Sequence, residues 1–170
     1  LQSMTKHLHF ATEEFQNRER RAVSALEVAR HDAVLLFKQE NMYWLTGYDT
    51  FGFVYFQCLV LTADGRKALL TRAPDRLQAH FTSTIEDVRV WVDGRDEDPV
   101  GALLSLLRDM GLAGKRLGVE WNAYGLPAAL GFVLRERLAT FAPAADVSGV
   151  IDRLRLVKSP AELAYMRRAS

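Results

Sequence analysis

Two apolar runs, residues 55–61 and 67–71, are joined by Thr62-Ala63-Asp64-Gly65-Arg66. Asp-Gly between apolar runs is a strong local signal for a β-hairpin, because the tight turn needs positive φ and glycine supplies it without a steric penalty. The flanking sequence is not all-β. Residues 12–29 place Phe15, Ala22, Val23, Leu26 and Ala29 at helical spacing, with Glu13 and Glu14 near the positive end of the helix dipole. Ala33-Val34-Leu35-Leu36-Phe37 then reads as a buried strand, and Asn41 as the cap of a short helical turn that Gly47 ends.

The same alternation runs to the end of the chain. Residues 74–79 suit a helical turn, 88–92 a strand, and Asp98-Pro99 a capped helix whose stripe is Leu103, Leu106, Leu107 and Met110. Residues 116–120 read as a strand, 126–138 as a helix, 141–144 as a short apolar run and 147–156 as a helical turn. Ser159-Pro160-Ala161-Glu162 then has the form of a capping box with proline at the first helical position. Strands alternating with helices around one hairpin predict an α/β fold, a mixed, roughly six-stranded sheet flanked by helices.

Composition narrows the function classes. A 170-residue chain that is 49% hydrophobic and 25% charged is large enough to bury a core as one domain. A net charge of +1 predicts neither a nucleic-acid nor an anionic-membrane partner, and Arg153, Arg155, Lys158, Arg167 and Arg168 read as a solvated helix face. No apolar run approaches the ~20 residues of a membrane span, and residues 1–20 are too charged to resemble a signal peptide. The single cysteine, Cys58, lies in an apolar run and is expected to be a buried thiol in the reducing cytoplasm. Leu1-Gln2-Ser3 ahead of Met4 reads as a tag-cleavage remnant.

Chemistry-bearing motifs are scarce. His7, His9, His31 and His80 form no His-x-x-x-His pair, and there is no Cys-x-x-Cys, no Gly-x-Ser-x-Gly elbow and no Walker spacing. The acidic run Asp93-Gly94-Arg95-Asp96-Glu97-Asp98 is expected to be a solvated loop. One segment departs from ordinary composition: residues 42–56, MYWLTGYDTFGFVYF, hold seven aromatics in 15 positions. Gly47, Asp49 and Gly52 mark a loop there, so Tyr48, Phe51 and Phe53 are candidates for an interface or a substrate entrance.

Two segments carry a family resemblance. Asn41-Met42-Tyr43-Trp44-Leu45-Thr46-Gly47-Tyr48 resembles the N-x-x-Y-L-T-G-Y signature of the amino-terminal domain of the creatinase/prolidase/aminopeptidase P family. Arg153-Leu154-Arg155-Leu156-Val157-Lys158-Ser159-Pro160-Ala161-Glu162 resembles the junction that opens that family's catalytic domain. The resemblance implies residues 1–9 as remnant and flexible terminus, 10–152 as the amino-terminal domain, and 153–170 as linker and start of the first helix of a pita-bread catalytic domain.

In peptidase members that second domain holds two divalent metals (Mn, Co or Zn) through two Asp, one His and two Glu. The bridged metals activate a water against the bond preceding proline. All of these ligands would lie beyond Ser170, so the 170-residue chain is expected to bind no cofactor and to be inactive alone. The implied partners are its own catalytic domain, a second subunit in a homodimer, and a small peptide or amide substrate, with Tyr48, Phe51 and Phe53 at the entrance or dimer contact. Creatine-hydrolysing members carry an arginine after a Phe-Gly in this loop; here Phe53 follows Phe51-Gly52, which favours a proline dipeptide or a related cyclic amide. Two alternatives stay open: a non-catalytic binding module of a pita-bread relative, and a metal-free creatinase-like or ectoine-type hydrolase.

Overall fold

The computed structural model describes residues 6–170; the expected remnant at Leu1-Gln2-Ser3 lies outside the described residues. A six-stranded sheet runs in the order β4-β3-β2-β1-β5-β6, where β1 is Ala33–Leu36, β2 Cys58–Thr62, β3 Lys67–Arg72, β4 Asp87–Trp91, β5 Leu117–Val119 and β6 Ala144–Asp146. The hairpin stands where Asp64-Gly65 predicts it. β2 pairs antiparallel with β3 and with β1, and Gly65 takes φ +85°. The other pairings, β1 with β5, β3 with β4 and β5 with β6, are parallel, so the sheet is mixed.

Helices cover both faces because β1 and β2 are buried at every position. On one face Leu35, Phe37, Val60 and Leu70 pack against Leu103 and Leu107 of α4 (Pro99–Asp109) and Leu134 and Leu138 of α5 (Ala128–Ala139). On the other, Val34, Leu36, Leu59 and Leu61 meet α1 (Thr12–Val28), α2 (Gln39–Thr46), α3 (Arg76–Thr82) and α6 (Val150–Leu156) through Ala22, Leu26, Met42, Leu45, Ala79 and Ile151. A last helix, α7 (Pro160–Ala169), has no buried residue.

Two of the capping signals hold, and the one at Asn41 does not, since α2 starts at Gln39. The Asp98 carboxylate accepts from Gly101 N, and Ser159 and Glu162 form the complete capping box of α7. The turn expected at 74–79 becomes a 3-10 turn and a helix that runs on to Thr82, and other boundaries move for local reasons. Strand β2 begins at Cys58 rather than residue 55, because residues 52–54 coil into a 3-10 turn. Pro127 delays α5 to Ala128. Gly149, at φ +81°, delays α6 to Val150. The short apolar run at 141–144 overlaps β6 only at Ala144: Ala142 belongs to the core and Pro143 O accepts from Leu117 N. The expected boundary at 152/153 falls inside α6.

Candidate functional site

The segment between α2 and β2 alternates in and out. Gly47 ends α2 at φ +81°, where a side chain would collide with Thr82 O. Tyr48, Thr50 and Gly52 then point inward, while Asp49, Phe51 and Phe53 point out. Thr50 Oγ1 donates to Asp75 Oδ1 at 2.6 Å and accepts from Gly52 N at 2.9 Å. Gly52 lies so close to that carboxylate that a methyl group there would collide with it. Asp75 therefore pins the inner face of the loop and leaves the outer face free to present aromatics.

Tyr48 does not belong to that outer face, and the sequence expectation for it needs correction. It is fully buried, with its hydroxyl donating to Gln57 Oε1 at 2.8 Å and lying 3.0 Å from Thr71 Oγ1. Burial pushes its phenol up to about 12, so it stays neutral in the core. Phe51 and Phe53 are exposed as expected, Phe51 by 88% of its surface. Val54 and Tyr55 are exposed beside them, and the Arg72 guanidinium caps the Tyr55 ring at 3.6 Å while Asp93 holds it in place.

Sequence reasoning missed three members of this rim: Val54, Tyr55, which it read into the strand, and Tyr124. Tyr124, from the loop between β5 and α5, meets Phe53 edge-on with ring centroids 6.1 Å apart, and its hydroxyl donates to Glu40 Oε2 at 2.8 Å. Gly125 is the signal that was available: a Cβ there would collide with Phe37 O and touch Phe53 O, so this loop must run directly beneath the aromatic one. Partial burial and the Glu40 carboxylate raise the Tyr124 phenol to about 12. Phe51, Phe53, Val54, Tyr55 and Tyr124 thus form an exposed apolar rim on a rigid sheet end, the kind of patch that marks a contact surface.

Beneath the rim the polar residues close on one another. Asn41 is not a helix cap; it is buried inside α2, where its Nδ2 donates to Glu120 Oε1 and to Asp152 Oδ1. Its Oδ1 accepts from Arg155 Nη1 at 2.9 Å. Glu120 Oε2 takes two backbone donors, Phe37 N and Lys38 N, each at 2.9 Å. Burial raises the Glu120 carboxyl above its ordinary value, against these hydrogen bonds. This network occupies the carboxyl ends of the neighbouring parallel strands β1 and β5, a place where open α/β sheets often take ligands. Here the chain fills it itself and ties α6 to the sheet.

A cleft of about 410 Å³ lies next to it, walled by Phe10, Arg18, Tyr43, Trp44, Lys158 and Glu162 among others. Burial drives the Cys58 thiol well above its ordinary value, which makes it unreactive. Among the described residues no three His, Cys, Asp or Glu side chains converge as a metal site would require. The metals implied by resemblance therefore have no fitting ligand set among the described residues.

The Creatinase/Prolidase N-terminal domain model matches residues 18–157. The chain belongs to this family. It is 29% identical over 170 residues to ectoine hydrolase of Halomonas elongata, covering 95% of this chain and 42% of that protein. It is 28% identical over 169 residues to the uncharacterized hydrolase/peptidase y4tM of Sinorhizobium fredii, covering 95% and 43%. A dipeptidase crystal structure from Pyrococcus horikoshii shares the fold, with TM-score 0.69 and 22% identity over 90% of this chain and 40% of that one. The chain thus spans about two-fifths of the length of these relatives. For this creatinase/prolidase-type domain most of the identifying motif is structural, while Tyr43 and Trp44 wall the cleft. Asn41 ties α2 to β5 and α6, and Leu45 and Tyr48 fill the core. Thr46 Oγ1 donates to Met42 O while accepting from Tyr48 N, and Gly47 makes the turn.

Proposed function

We propose that this chain is the amino-terminal substrate-gating and dimerisation domain of a cytoplasmic peptidase or amidohydrolase. In this reading it works beside a metal-dependent catalytic domain and a second subunit, on an Xaa-Pro dipeptide or a related small amide. The exposed rim of Phe51 and Phe53 carries the reading. Both side chains are exposed, with Phe53 resting edge-on against Tyr124, and they stand on a loop that Asp75 pins from below. A rigid apolar rim favours compact, weakly polar substrates over long charged peptides. A second reading, hydrolysis of an ectoine-like cyclic amide, is favoured by the similarity to ectoine hydrolase.

Kinetics of the protein that joins this domain to its catalytic domain test both. Replacing Phe51 and Phe53 by Ala is expected to raise KM about three- to tenfold with kcat within about twofold, the signature of lost ground-state binding. The effect should fall on proline dipeptides under the first reading and on ectoine under the second. An unchanged KM on both substrates contradicts the gating role.

A further inference from the structure

Glu120 is 1% exposed, stands just past the end of β5 and has no task in the proposed function. An apolar side chain would fill the same space without the cost of burying a carboxylate. Its three hydrogen bonds show what the charge does. The β1–β5 pairing stops at Leu35 and Val119, and beyond it Phe37 N and Lys38 N have left the ladder. Glu120 Oε2 accepts from both at 2.9 Å, and Asn41 Nδ2 holds the other oxygen. Lys38 then begins α2 with no side-chain cap of its own. The carboxylate thus fixes the turn from strand to helix, where the sheet supplies no acceptor.

The aromatic rim leans on that turn at three places. A Cβ on Gly125 would lie 2.5 Å from Phe37 O and 3.4 Å from Phe53 O, so the turn, the Tyr124 loop and the Phe53 segment pack backbone against backbone. The Phe37 ring meets that of Phe56, at the foot of the rim, with centroids 5.6 Å apart. Glu40, in the first turn of α2, accepts from the Tyr124 hydroxyl at 2.8 Å. On the outer side Phe51, Phe53 and Tyr124 are open to solvent. The rim therefore takes its place from the Phe37–Glu40 segment beneath it.

We propose that Glu120 is the positioning residue of the rim: its carboxylate fixes the Phe37–Lys38 turn, and through that turn it sets where Phe53 and Tyr124 stand. It reaches no substrate and acts only through the aromatics above it. Asn41 completes the seat, giving one N–H to Glu120 and one to Asp152 while accepting from Arg155, so the rim is also set relative to α6. The effect on kinetics rests on the gating role proposed above, whereas the effect on the placement of the rings does not.

Glu120→Gln keeps the volume and one acceptor oxygen but turns an amide donor toward the Asn41 donor. In the 170-residue chain it is expected to shift the ring resonances of Phe53 and Tyr124 while the α4 signals stay in place. In the protein that joins this domain to its catalytic domain, it should raise KM about three- to tenfold with kcat within about twofold. Added to the Phe51→Ala, Phe53→Ala double variant, it should raise KM by no more than about 1.5-fold further, because the rim it acts through is gone. Gly125→Ala, which pushes the Tyr124 loop off Phe37 O, should move the same ring signals and leave the Asn41 side-chain amide signals in place. It decides the matter should Glu120→Gln fail to fold. The proposal is overturned if the Phe53 and Tyr124 rings stay in place in a folded variant of either kind. It is also overturned if Glu120→Gln keeps its full effect on KM in the double variant, as a general loss of structure would. If the double variant alone leaves KM unchanged while Glu120→Gln moves the rings, the gating role falls and the positioning role stands.

Discussion

Two neighbouring stretches of one loop-and-helix region behave in opposite ways. From Asn41 to Tyr48 nearly every residue is buried and bonded, and the hydroxyl of Tyr48 ends in the core on Gln57 and Thr71. From Phe51 to Tyr55 only Gly52 is buried, and large apolar side chains stand in solvent. The first stretch identifies the family and the second is available to act. A signature motif thus marks what the fold cannot build otherwise, and the working surface lies beside it.

Substitutions in the first stretch should therefore cost stability, and those in the second should not. Tyr48→Ala has the largest expected effect, a loss of about 3–5 kcal/mol in denaturant unfolding, because it empties a ring-sized space in a closed core. A loss under about 1 kcal/mol would show that the core collapses around the gap and that Tyr48 is not structural. Asn41→Ala comes next, at about 1–3 kcal/mol, since it strips a donor from buried Glu120 and an acceptor from Arg155. Urea midpoints of the parent and variant measure it directly.

A pH series sharpens the same network. Burial pushes the Asp152 carboxyl up, but hydrogen bonds from Lys38 and Asn41 outweigh it and hold the group below its ordinary value of 3.8. A depressed carboxylate stabilises the fold above that value and loses its contribution as pH falls through the folded one. Lys38→Met should therefore flatten the fall in stability below about pH 4, by under about 1 kcal/mol because Asp152 is a third exposed and screened. Parallel acid limbs for parent and variant would remove Lys38 from the account.

The contrast between the two stretches also explains what was readable in advance. Asp64-Gly65, Gly47, Asp98 and Ser159-Pro160-Ala161-Glu162 act on backbone within a few residues, and each produced the turn, stop or cap its chemistry requires. Asn41 has the chemistry of a cap as well, yet its partner Glu120 stands 79 positions away, and no local pattern reports that. Tyr48 and Phe51 are equally aromatic neighbours of glycines. Only the approach of β2 and β3 turns one inward, through Gln57 and Thr71. Tyr124 joined the rim for the same reason, through a loop that Gly125 allows to pass beneath Phe53. Glu162 was legible as a cap but not as a second counter-charge, beside Glu14, for Arg18, which sits at the far end of the sequence.

The smallest expected effect is the most informative. In urea unfolding of this chain, the Phe51→Ala, Phe53→Ala double variant should keep its stability within about 0.5 kcal/mol of the parent, as surface substitutions do. That result, set against the loss in Tyr48→Ala, would establish that the rim is built for contact rather than for folding. A loss of about 3 kcal/mol or more in the double variant would place both phenylalanines in the structural group and contradict the division on which the proposed function rests.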